Sequence, residues 1–101
     1  MTREEHLLTI LAEECVEVAQ RATKILRFGM DEVQPGQSLN NADRMLMEYW
    51  DVVAAMKMLE DAFPRLHDNW TPEAVAVHVA QKREKVERFL AYSSKCGTIT
   101  E

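Results

Sequence analysis

Four carboxylates constrain this chain more than any other feature. Glu14 and Glu17 lie in Leu11-Ala-Glu-Glu-Cys-Val-Glu-Val-Ala-Gln20, and Glu48 and Asp51 lie in Leu46-Met-Glu-Tyr-Trp-Asp-Val-Val-Ala-Ala55. Each pair is spaced i, i+3, which on a helix puts both side chains on one face with Cβ atoms roughly 5–6 Å apart. Two such helices lying face to face bring four anionic ligands into one small volume. Repulsion and desolvation make that arrangement costly unless a divalent cation sits at its centre. The spacing therefore predicts a metal site built between helices.

Chance pairs must be set aside first, because the sequence holds 17 acidic residues. Glu84-x-x-Glu87 is such a pair, and it falls opposite the Val75/Val79/Val86 line, as a solvated face beside Lys and Arg does. The other four acids intrude on apolar stripes. A first helix is expected over Arg3–Phe28, with Leu7, Ile10, Leu11, Val18, Ala22 and Ile25 recurring at helical spacing. Glu14 stands in the middle of that stripe and Glu17 at its edge beside Ile10 and Arg21, while Glu13, Gln20 and Lys24 continue outward. Gly29 suits the position just past the helix end. A second helix is expected over Ala42–Phe63, with Met45, Tyr49, Val52, Met56, Leu59 and Phe63 as its apolar line. Glu48 stands between Met45 and Val52, and Asp51 beside Ala55, Met58 and Ala62, so both acids read as inward-facing. Pro64 stops this helix.

Between the two helices, Gly29 to Asn41 reads as a loop, with a Pro35-Gly36 turn and Asn40 or Asn41 as the following N-cap. It is longer than the usual bundle connection of about 2–8 residues, and serves either as a lid or as a surface excursion. A connector over Arg65 to Thr71 leads to Thr71-Pro72-Glu73, a helix start. The third helix runs to about Ser93, with Val75, Val79, Val86, Phe89 and Leu90 as its buried line and Lys82 in the middle of it. His78 and Lys85 flank that lysine, and Ser94 to Glu101 form a tail without periodicity. The organisation is thus all-α, one domain over 1–93 with a tail over 94–101. Three helices with inward acids cannot close a symmetric core alone, so a four-helix bundle completed by oligomerisation is expected, as a homodimer or homotetramer.

The bulk properties narrow the function. A net charge of −5 argues against a nucleic-acid partner, whose binding rests on neutralising phosphates with Lys and Arg. No apolar run approaches the roughly 20 residues that span a bilayer, and the charged start Met1-Thr-Arg-Glu-Glu-His does not read as a signal peptide. Cys15 and Cys96 suggest no disulfide framework. The expectation is an intracellular, cytoplasmic protein with free thiols, Cys15 being a small buried residue.

All-oxygen ligation suits Mg²⁺, with Mn²⁺ able to substitute, and disfavours zinc. A di-iron bundle needs Glu-x-x-His, and neither pair has His at i+3. Lys82 has two readings: it snorkels along the core, or it neutralises a phosphate near the cations. Lys24 and Lys85 read as solvated. Trp50 and Trp70 serve either as core and interface residues or as a stacking surface for a base. His6, His67 and His78 show no ligand or nucleophile spacing, and no glycine-rich phosphate loop is present.

With Glu14-x-x-Glu17 and Glu48-x-x-Asp51 about thirty residues apart on consecutive helices, the chain resembles the all-α nucleoside triphosphate pyrophosphohydrolases of the MazG-like superfamily. Relatives of that kind include dimeric dUTP pyrophosphatases, dCTP pyrophosphatases and phosphoribosyl-ATP pyrophosphatase. Lys24-Ile-Leu-Arg-Phe-Gly29 and Lys82-Arg-Glu-Lys-Val-Glu-Arg-Phe89 also look like the small single-domain members, so the resemblance covers roughly Glu4 to Tyr92. It implies that Glu14, Glu17, Glu48 and Asp51 hold Mg²⁺, that Lys82 or Lys85 lies near the phosphates, and that Glu13 serves as an outer ligand or a water-orienting base; Lys24 is a further candidate for contact with the nucleotide substrate. It further implies hydrolysis of an NTP or dNTP to the monophosphate and pyrophosphate. Trp50 departs from the small residue that many relatives carry before the last aspartate, which bears on substrate preference. The rival reading is a non-catalytic helical module that binds metal or nucleotide to regulate a partner.

Overall fold

Each helix begins at a residue whose side chain can satisfy an orphan backbone donor. The computed structural model describes residues 1–100 and contains α1 over Arg3–Phe28, α2 over Asn41–Ala62 and α3 over Pro72–Lys95, with a short 3₁₀ turn over Pro64–Leu66. No strand occurs among the described residues. At α1, Thr2 Oγ1 accepts from the Glu5 N–H at 3.1 Å while the Glu5 carboxylate accepts from the Thr2 N–H at 3.5 Å, a reciprocal cap. At α2, Asn40 Oδ1 accepts from the Asp43 N–H at 2.8 Å, so the first of the two candidate asparagines is the cap. At α3, Thr71 Oγ1 accepts from the Ala74 N–H at 3.1 Å and Pro72 occupies the first turn.

The chain divides into two units, Met1–Pro64 and Arg65 onward. In the first, α1 and α2 pack as a hairpin whose loop is tied at two points. Gly29 ends α1 with φ +91°, a conformation that favours glycine, and its N–H reaches the Ile25 carbonyl at 2.8 Å. Asn41 is 1% exposed, and its Nδ2 donates to the Gly29 carbonyl and to Glu32 Oε1, both at 2.9 Å. The end of α1 is thereby fixed beside the start of α2, which makes the pair antiparallel. Farther along, Gln37 N–H bonds the Gln34 carbonyl at 2.9 Å around Pro35 and Gly36, the latter at φ +86°. Proline followed by a positive-φ glycine is the pattern of a type II turn.

The seam of the hairpin is narrow. Leu7, Ala55 and Leu59 are buried, and Ile10, Leu11, Val18, Ile25, Met45, Val52, Met56 and Phe63 are half-buried. Ala22, Tyr49 and Cys15, expected to be inward, are exposed. A helix with one partner covers only the stripe that faces it, and residues on the flanks of that stripe stay open.

In the second unit, the expected buried line of α3 is not buried in this chain: Val75, Val79, Val86, Phe89 and Leu90 are all exposed. The unit contains one long helix, and such a line is covered only when another apolar face meets it. Glu84 and Glu87 do form the solvated face expected of them, with Glu84 paired to Arg88 at 3.0 Å in the open. Trp70 meets His78 edge-on at 5.3 Å. The helix runs two residues beyond Ser93 to Lys95, and Glu101 of the expected tail lies outside the described residues. Among the described residues, no helix is long and apolar enough to cross a membrane.

Candidate metal centre

The hairpin brings three of the four acids together. Glu14 and Glu17 project from one face of α1, and antiparallel packing sets Glu48 of α2 against them. One carboxylate oxygen from each lies within 4.8 Å of the other two. Glu14 and Glu48 are half-buried. Glu14 Oε2 and Glu48 Oε2 are shut off from solvent and have no hydrogen-bond partner among the described residues. Unpaired acceptors of this kind are costly, and native proteins rarely leave them without a purpose.

The electrostatics follow from that crowding. Burial raises the Glu14 carboxyl above its ordinary range, and the charges of Glu17 and Asp51 add to the effect. Burial also raises Glu48, to about 7, reinforced by the close approach of Glu17 and by the charges of Glu17, Asp51 and Glu14. Like charges in one volume cannot all ionise freely, so part of the cluster holds protons near neutrality. Asp51 itself is exposed and stands outside the three-acid set, although its field reaches both raised carboxyls.

The remaining site residues are more dispersed. Lys24 is half-buried on α1, Glu13 is exposed beside Glu14, and Lys82 and Lys85 are exposed on α3 in the second unit. Around His78, Gln81, Lys82 and Lys85 the helix surface forms a shallow basic depression. Trp50 is exposed and packs edge-on against Tyr49 at 5.0 Å.

Sequence reasoning passed over two arginines. Arg21 is half-buried, with Nε and Nη1 shut off from solvent and unpartnered. Its place four residues after Glu17 suggests an ordinary surface ion pair, yet among the described residues only Glu84–Arg88 forms one. Arg44, one turn before Glu48, is half-buried and bonds the loop through Gln34. The available signal was position: both lie one turn from an acid of the cluster, on its side of the helix.

No family model, curated protein or solved structure matches the chain.

Proposed function

We propose that the chain is a Mg²⁺-dependent nucleoside triphosphate pyrophosphohydrolase, converting an NTP or dNTP to the monophosphate and pyrophosphate. The observation that carries this reading is the Glu14, Glu17 and Glu48 cluster, with two carboxylate oxygens closed off from water and lacking any partner. A hard divalent cation takes oxygen ligands, and an all-carboxylate donor set suits Mg²⁺ or Mn²⁺. Asp51, one turn beyond Glu48, supplies the fourth carboxylate in this proposal. Bound there, the cation supplies charge compensation for phosphate oxygens and Lewis acidity at phosphorus.

The chain's own residues divide the remaining work. A carboxylate of the cluster takes the proton of the attacking water, with Glu13 orienting that water from outside. Oxygen–phosphorus bond formation at the α-phosphate accompanies cleavage toward the β-phosphate, releasing pyrophosphate. Cationic side chains of the first unit, Lys24 and Arg21 of α1, hold the polyphosphate. In this proposal the chain acts within a homodimer or homotetramer. The exposed Val75, Val79, Val86, Phe89 and Leu90 support it, because only Leu7, Ala55 and Leu59 are buried apolar side chains among the described residues.

The test is pyrophosphate release from a panel of canonical and modified NTPs and dNTPs, with and without Mg²⁺, for the wild type, Glu48→Gln and Glu84→Gln. The expected result is metal-dependent release that Glu48→Gln abolishes and Glu84→Gln leaves intact. Saturable nucleotide binding without release from any substrate would instead identify a non-catalytic binding module.

A further inference from the structure

The first unit contains one concavity that the proposed chemistry leaves unused. It measures about 260 Å³ and is lined by Gln37, Ser38 and Leu39 of the loop and by Arg44, Met47 and Glu48 of α2. Its shape is held from both sides. The turn at Pro35-Gly36 bends the loop back, and Arg44 Nη1 donates to Gln34 Oε1 at 3.0 Å, tying that bend to α2. Asn41 clamps the other limb through Gly29 and Glu32. Glu48 belongs to both the concavity and the acid cluster, so the two adjoin.

The lining favours a single ring with polar edges. Leu39 and Met47 offer apolar contact to a flat face, the Gln37 amide offers both donor and acceptor, and Ser38 and Arg44 add further hydrogen-bonding groups. Its volume lies below the roughly 300–1,000 Å³ typical of sites for drug-sized ligands, which suits one ring system better than a whole nucleotide. A purely anionic group would leave Leu39 and Met47 unused and would meet Glu48 as a like charge.

We propose that this concavity receives the base of the nucleotide, which makes Gln37, Ser38 and Arg44 specificity-determining residues. The inference rests on the pyrophosphohydrolase reading of the adjoining cluster. Polyphosphate at the acids and base under the loop would be the two ends of one bound substrate.

The test compares kcat/KM for a set of NTPs and dNTPs, and for inorganic tripolyphosphate, in the wild type, Gln37→Ala and Ser38→Ala. Both substitutions lie in the loop outside the helices, and helical circular dichroism verifies the fold. Losing one base-directed hydrogen bond should reduce the ratio between the preferred nucleotide and its nearest competitor about tenfold in Gln37→Ala, mainly through KM. The ratio of nucleotide to tripolyphosphate turnover should fall alongside it. Unchanged ratios in both variants overturn the base site while the enzyme reading survives. If the wild type turns over nothing, the enzyme reading falls, and amide shift mapping with nucleoside monophosphates and Mg²⁺ decides the base site. Shifts at residues 37–39, 44 and 47 uphold it, and shifts confined elsewhere overturn it.

Discussion

Glu48 carries the most consequence of any single residue. Its folded-state pKa is raised from 4.5 to about 7, so the folded chain binds more protons than the unfolded chain across that interval. Stability then falls as pH rises, because its slope with pH follows the unfolded minus the folded proton count. The melting temperature of the metal-free protein should accordingly drop between pH 4.5 and about 7, and Glu48→Gln should flatten that dependence. Parallel pH profiles for the two proteins would show that the crowding is not felt. Leu59, at 1% exposure, tests the seam instead: Leu59→Ala should cost about 2–5 kcal/mol by denaturant titration.

At the scale of elements, the hairpin depends on how its loop is fastened. Asn41 makes two side-chain hydrogen bonds at 2.9 Å in a buried position, one to each end of the Gly29–Glu32 stretch. Removing it strands the Gly29 carbonyl, so Asn41→Ala should cost about 1–3 kcal/mol and speed amide exchange through residues 29–32. Thr71→Ala removes the α3 cap and should cost about 1 kcal/mol, read from helical circular dichroism on melting. The elements themselves were legible in the sequence: Thr71-Pro72, Pro64 and Gly29 mark boundaries by backbone chemistry alone, and the α1 span coincides with its periodic stripe. What side chains do within the loop was not legible. Asn40 and Asn41 look equivalent as letters, yet one caps a helix and the other staples the loop, a choice set by tertiary placement.

For the whole molecule, the acids were readable because they interrupt apolar stripes, and three of the four do converge. Asp51 and Cys15 are exposed because periodicity fixes a face without stating how wide its partner is. The same reasoning explains why α3 exposes Val79 and Phe89: a line of apolar residues names a buried face but does not supply the surface that covers it. A second copy of the chain is expected to supply that surface. Light scattering should give an integral multiple of 11.6 kDa, and Phe89→Asp should reduce that multiple. A monomer at micromolar concentration in the wild type would contradict it.

The crowded acids are proposed here as a divalent-cation site. Calorimetric titration of Mg²⁺ into the wild type and Glu48→Gln at pH 7 tests this most directly, read with the protons released on binding. The account predicts saturable binding with proton release in the wild type, its loss in the variant, and stabilisation of about 2.7 kcal/mol at a hundredfold excess over Kd. Equal Mg²⁺ binding by both proteins, or none by the folded wild type, would contradict it.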